Sequence, residues 1–304
     1  MNTKKTYTPE QYFKMACRAS DKNDKITALK YYLEAANAGI VPAMMACGSL
    51  YFEELGGIEQ DIEKAIYWFK KAADCGHAGA MNNVGYVFWT LKDYEEAIKW
   101  YKKSAEYNDA TAMLNLADVY RNVYYDKKTA QYWLKKAESL KDSESIRLVA
   151  GYYAVENSIK DNLNKAIKLY QKAMSMDNLE AFNELGDLYM ELDEFDSAQN
   201  CYFDGAKLGN VDCMANFGMM MTYAPECFEP AHYWLSKAIK HGNIIAMTLM
   251  GDLYREYKNY PKALRWYRKA VSAGDSNASE NLQLVKKLLK RHKPNYKLRL
   301  RESN

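Results

Sequence analysis

The chain has 304 residues, of which 48% are hydrophobic, 13% aromatic and 27% charged; with only six Pro and fifteen Gly this supplies a large apolar core and excludes a disordered chain. The net charge of +3 is unevenly held: residues 286 to 304 carry eight Lys or Arg against one Glu, which leaves the first 285 residues at −4 and argues against a basic, nucleic-acid-binding body. No run approaches the roughly 18 apolar residues of a membrane span and the N-terminal stretch lacks the apolar segment of a secretion signal, so a soluble, cytoplasmic protein is expected.

Residues 1–8 are expected to be flexible. Beyond them a ladder of alanines runs the length of the chain: Ala28, Ala65, Ala97, Ala130, Ala166, Ala198, Ala231 and Ala263, separated by 37, 32, 33, 36, 32, 33 and 32 residues. A period in that range marks stacked two-helix units. In AIYWFKKAADCG, from Ala65 to Gly76, offsets 0, 3, 4, 7, 8 and 11 fall on one helical stripe, with small residues where a neighbouring helix approaches and Trp68 and Phe69 between them. We call this second helix of each unit helix B. In chain order the units cover residues 9–39, 43–76, 80–108, 112–141, 145–177, 181–209, 213–242 and 246–274. They form one solenoid over 9–275, followed by a capping helix at 276–293 and a basic tail at 294–304.

Helix A, the first of each unit, opens with a small residue, carries Gly or Ala at offset 5 and a bulky residue at offset 8, as in Ala80, Gly85 and Phe88 or Ala246, Gly251 and Tyr254. Offsets 0, 1, 4, 5 and 8 share one side, so Met44, Met81, Met113, Met214 and Met247, all at offset 1, are expected in the core. Four residues before each ladder alanine stands Asp24, Asp61, Asp93, Asp126, Asn162, Glu194, Cys227 or Asn259, and five or six of these suit a helix N-cap. Gly39, Gly76, Gly209, Gly242 and Gly274 fall where helix B should end in a left-handed residue. The six cysteines are irregularly spaced and read as reduced, mostly buried small hydrophobes.

These segments resemble Sel-one-like repeats (SEL-type, SLR), a branch of the tetratricopeptide-like helical superfamily. The clearest copy is residues 43–76, with Ala43, Gly48 and Tyr51 in helix A, the turn residues Gly57, Ile58 and Asp61, and paired alanines with Gly76 in helix B. Residues 80–108, 181–209 and 246–274 have shorter turns and resemble ordinary tetratricopeptides, while 145–177 and 213–242 are degenerate. The resemblance implies an all-α, right-handed superhelical α/α solenoid of about eight helix-turn-helix repeats, acting as a monomeric, non-catalytic scaffold or adaptor that binds a protein or peptide partner in a concave groove.

If offsets 0, 1, 4, 5 and 8 of helix A are buried, offsets −1, 2, 3, 6 and 9 line that groove. The expected groove residues are Asn82, Asn83, Tyr86, Trp89, Asn115, Asp118, Arg121, Glu184, Asp187, Asn216, Asp252 and Arg255. Asparagines at offset 3 resemble the family residue that bonds the backbone of an extended peptide; the alternative is that they bond the next helix. Phe52, Tyr86 and Trp89 make an aromatic region, and the charged residues either recognise a partner or only solvate the face, since Asp118 with Arg121 and Asp252 with Arg255 are i, i+3 pairs. A second reading is RNA or anionic-surface binding through the solenoid and the basic tail, disfavoured by the acidic body. The sequence holds no phosphate loop, HExxH, CxxC pair or nucleophile elbow, and His77, His232, His241 and His292 lack companions at zinc spacing. No catalysis, cofactor or metal is therefore expected.

Overall fold

The computed structural model describes residues 7–54, 56–155, 160–224 and 226–291. Most of the N-terminal segment at 1–8, all of the basic tail at 294–304, and residues 292 and 293 of the expected capping helix lie outside them. Among the described residues all regular secondary structure is α-helical, in seventeen helices, as the repeat pattern requires.

The chain divides into two compact units, Met1–Tyr152 and Tyr153–Asn304. In the first, α1 (Pro9–Asp21) pairs with α2 (Lys25–Asn37), α3 (Val41–Phe52) with α4 (Ile62–Asp74), α5 (Ala78–Thr90) with α6 (Tyr94–Glu106), and α7 (Ala110–Asn122) with α8 (Lys127–Glu138). The division falls within α9 (Ser143–Val155). The second unit contains α10 (Lys160–Met174), then the pairs α11 (Leu179–Glu191) with α12 (Phe195–Leu208), α13 (Val211–Tyr223) with α14 (Phe228–Lys240), and α15 (Ile245–Glu256) with α16 (Tyr260–Ser272), and ends on α17 (Ala278–Arg291). α2 also packs on α3, α4 on α5, α6 on α7, α10 on α11, α12 on α13 and α14 on α15. Most turns are too short to permit anything but antiparallel neighbours.

The stop and start signals explain these boundaries. Asp24, Asp61, Asp93 and Asp126 each accept a hydrogen bond from the backbone N–H three residues on, at 2.9–3.2 Å, and Asn259 does so at 3.3 Å. These five meet the expectation of five or six caps, and the other three positions do not cap. Glu194 and Cys227 precede their helices without a side-chain cap. Asn162 stands inside α10, which begins at Lys160 and carries Asp161 in its first turn, where the helix dipole favours an acid. The five expected glycines close their helices with φ between +81° and +108°. Where glycine is missing, Asn108 and Asp177 adopt φ of +61°, a conformation their short polar side chains tolerate.

The core is built from a recurring socket. The glycine at offset 5 of helix A sits under the ring at offset 4 of its own helix B, and a Cβ added there would lie 2.6 Å from Tyr101 at Gly85, 2.4 Å from Tyr202 at Gly186 and 2.5 Å from Tyr267 at Gly251. Phe69 fills the same socket over Gly48. Tyr101, Tyr202 and Tyr267 are thereby fully buried, each worth about 1.5–3 kcal/mol of apolar burial. Met44, Met81, Met113 and Met214 are in the core, and Met247 packs half-buried against it. Cys47, Cys201 and Cys213 are buried, and burial pushes the Cys47 thiol up to about 12 and that of Cys201 to about 11. Cys75, by contrast, is exposed at the end of α4.

Candidate functional site

In the first unit the groove positions of α5 and α7 converge on a cavity of about 270 Å³. Tyr86, Trp89, Tyr94, Tyr101, Asn115 and Asp118 provide most of its wall. Tyr86 and Trp89, one helical turn apart on α5, stack with ring centroids 5.8 Å apart and an interplanar angle of 14°. Phe52 of α3 meets the Tyr86 ring edge-on, also at 5.8 Å. The pair nevertheless remains open to solvent, Tyr86 being 45% and Trp89 42% exposed. Opposite them, Asp118 on α7 accepts from Arg121 Nη2 at 2.7 Å and from the Tyr152 hydroxyl, while the Arg121 guanidinium lies over the Tyr152 ring at 5.1 Å. Burial outweighs these partners and raises the Asp118 carboxyl above the ordinary carboxylate range.

The asparagines divide. Asn115 Nδ2 donates to Asn82 Oδ1 at 2.9 Å, so these two groove residues join one repeat to the next. Asn216 repeats the arrangement in the second unit, donating to Asn183 Oδ1 at 2.9 Å. Asn83 is half-buried and makes no side-chain hydrogen bond within the described residues.

In the second unit the expected groove residues bond more fully to their neighbours, although of them only Asp252 is buried and Asp187 stays exposed. The Tyr202 hydroxyl donates to Asp187 Oδ1 at 2.6 Å, and Asn183 donates to Oδ2 at 2.9 Å. Asp252, placed by its spacing on the exposed arc, is instead buried: it accepts from Tyr267 at 2.7 Å and from Arg255 Nη1 at 3.1 Å. Desolvation raises its carboxyl and, with that hydrogen bond, pushes the Tyr267 phenol far above its ordinary range. Glu184 is half-buried on α11. The structure thus brings Tyr86, Trp89, Asn115 and Asp118 around one cavity, with Arg121 behind it, and commits Asp187, Asn216, Asp252 and Arg255 to contacts within their own unit.

Two cavity residues escape the offset rule. Tyr101 reads as core in the sequence, but its ring edge reaches the cavity because Tyr86 replaces the aspartate that meets the corresponding tyrosine in the second unit. Tyr94 opens α6 directly after its Asp93 cap, a turn position that the helix A pattern does not cover. His77 is engaged locally, its Nδ1 accepting from the Ala80 N–H at 3.1 Å and capping α5. Among the described residues no group of three His, Cys, Asp or Glu is arranged to hold a metal ion, and no helix is long and apolar enough to cross a membrane.

Helix pairs of one period, stacked through small residues around socketed rings, define a helical-repeat solenoid protein. Residues 12–40, 41–77, 110–142, 144–178, 229–243 and 244–275 match the Sel1 repeat, and residues 78–111 and 179–202 match the tetratricopeptide repeat. The chain belongs to the Sel1 repeat family, with two tetratricopeptide-type copies set among the others. The last pair, whose short turn resembles an ordinary tetratricopeptide, matches the Sel1 form. No curated protein matches the sequence. Among solved structures the chain is similar to yeast Tom70, with a TM-score of 0.65 at 14% identity over 99% of this chain and 69% of that one. A Sel1 repeat protein from Oxalobacter formigenes is 20% identical over 91% of this chain and 87% of its own, with a TM-score of 0.48. A protective antigen with an SLR fold from uropathogenic Escherichia coli is 22% identical with a TM-score of 0.44; the match covers 90% of this chain and spans 63% of that protein's length. Repeats of the Sel1 and tetratricopeptide types are generally non-catalytic scaffolds for protein–protein interaction.

Proposed function

We propose that this protein is a non-catalytic adaptor whose first unit binds a protein or peptide partner along the α5 and α7 face, with Asn83, Tyr86, Trp89 and Asp118 as contact residues. The observation that carries this reading is the Tyr86–Trp89 stack. Two large rings, each more than two-fifths exposed, stack on one another and border a cavity. Exposed, preorganised aromatics of this kind anchor protein interfaces, because they bury much area for little lost side-chain freedom. Asn115 belongs to the groove as support, holding α7 to α5 through Asn82. In the second unit Asp252 acts as a buried strut and Asp187, though exposed, braces Tyr202 and Asn183.

The experiment is affinity capture from the native host with partner recovery quantified, comparing the wild type with the double variant Tyr86→Ser, Trp89→Ser. Both side chains are solvent-facing, so helical circular dichroism should be unchanged. Loss of two interface anchors should reduce recovery of the partner more than tenfold. Undiminished recovery would overturn the assignment of the groove.

A further inference from the structure

The tryptophans of this chain follow a rule that one of them breaks. Trp68, Trp100, Trp133, Trp234 and Trp266 all lie on B helices, and each has the lysine three residues on, Lys71, Lys103, Lys136, Lys237 or Lys269, placed over its ring at 4.1–5.2 Å from the centroid. The sixth, Trp89, lies on an A helix, and among the described residues no Lys or Arg stands over it or over its stacked neighbour Tyr86. Electron-rich ring faces attract cations, most strongly at tryptophan. Five of these faces are satisfied from within the chain.

The cavity beside Trp89 is charged in the complementary sense. Asp118 is the one charged residue in its wall, and no Lys or Arg lines it. Arg121, the partner of Asp118, is outside that lining; its guanidinium lies over the Tyr152 ring and its Nε donates to Asn122 Oδ1 at 3.3 Å. A carboxylate offers about four lone-pair positions, and Arg121 and Tyr152 occupy two of them. The four rings of Tyr86, Trp89, Tyr94 and Tyr101, a carboxylate with acceptor capacity to spare and Asn115 form a receptor for a cationic, flat group. The parallel Tyr86–Trp89 surface favours guanidinium over ammonium, since guanidinium is planar, more weakly hydrated and able to stack while its edge donates hydrogen bonds. An anionic group, such as a phosphate of RNA or lipid, would meet the Asp118 charge directly.

We propose that this cavity receives an arginine side chain of the protein partner, its guanidinium stacked on the Trp89 indole and its edge donating to the Asp118 carboxylate. This rests on the first unit's groove being the binding surface and adds the chemistry of what it recognises. The burial that raises the Asp118 carboxyl works in the same direction, because a second cation would relieve an under-compensated negative charge.

The test titrates the full-length protein with the peptide acetyl-Gly-Gly-Arg-Gly-Gly-amide while following the Trp89 indole N–H by NMR, that signal being assigned by its loss in Trp89→Phe. The citrulline peptide, equal in shape but neutral, is the control. A saturable shift with the arginine peptide, at least tenfold weaker with citrulline and with Asp118→Asn, is expected. No saturable shift, or equal affinity for the two peptides, would overturn the proposal. Should Asp118→Asn lose helicity, the solvent-facing variant Trp89→Leu, assayed by calorimetry, takes its place and should lose arginine-peptide binding; retained binding counts against the site. If the arginine peptide fails to bind while the Tyr86, Trp89 double variant still loses the partner, the groove stands and the arginine reading falls. If the peptide binds and partner recovery is untouched, the arginine site stands and the groove reading falls.

Discussion

Offset 6 of helix A holds Tyr86 in the α5–α6 pair and Asp187 or Asp252 in the α11–α12 and α15–α16 pairs, and this difference separates the character of those faces. In the second unit the aspartate captures the hydroxyl of the socketed tyrosine, so ring, glycine and acid close into a self-contained strut. In the α5–α6 pair no acid stands at that offset, and Tyr101 keeps its socket over Gly85 but makes no hydroxyl hydrogen bond within the described residues. Tyr86 turns outward instead and stacks on Trp89. The same scaffold is thus sealed in one place and left open in another by exchanging an acceptor for a ring.

The largest expected effect that probes this contrast comes from removing single hydroxyls. Tyr267→Phe should destabilise α15 and α16 by about 1–3 kcal/mol, because buried Asp252 loses a donor it cannot replace with water. Tyr101→Phe should change the stability of α5 and α6 by less than about 0.5 kcal/mol. Native-state hydrogen exchange in each helix pair measures both; equal losses in the two would erase the distinction between the units.

A smaller effect concerns pH. The Asp252 carboxyl is raised, so its protonated form is favoured by folding; that contribution is fully present below the unfolded value and is lost as pH rises through the folded one. The stability of the wild type relative to Asp252→Asn should therefore decline as pH rises through the folded value. Lowered carboxyls at the caps, such as Asp24, Asp61 and Asp126, have the opposite dependence but are shared by both proteins and cancel. Denaturant melts of the pair across pH 3 to 7 measure the slope, and a rising relative stability would contradict the burial of this acid.

The smallest effect should be alike in both units. Lys92 and Lys258 adopt φ of +62° and +58° in the turns between helices A and B, a strained conformation for a side chain with a Cβ. Lys92→Gly and Lys258→Gly should each be neutral to stabilising by up to about 1 kcal/mol, relief of strain being partly offset by the entropy of glycine. Thermal melts detect this, and a loss of stability at one site alone would mark a further asymmetry between the units.

The helix pairs were legible in the sequence because their signals are local and repeated. An alanine every 32 to 37 residues, an aspartate four places before it and a glycine eleven after it each act within one helix. The grouping of the candidate residues was legible in part. Tyr86, Trp89, Asn115 and Asp118 do share a cavity, but the fate of Asp252 depends on Tyr267, fifteen residues away on another helix, and helical spacing within α15 carries no trace of that partner. Asn82 and Asn115 likewise meet across 33 residues, so offset alone could not separate a peptide-bonding asparagine from an inter-repeat one. The glycine socket is the signal that would have helped. Reading each Gly at offset 5 together with the ring at offset 4 of helix B places the tyrosine hydroxyl beside offset 6, and shows at once where an acid can be consumed.

The central claim, that the open face of the first unit binds while the corresponding positions of the second brace the fold, is tested most directly by hydrogen–deuterium exchange on the complex with the captured partner. Protection should increase on residues 78–90 and 110–122, the span of α5 and α7, and change little on α11, α13 and α15. Protection confined to those second-unit helices, or to the B helices of either unit, would contradict the account.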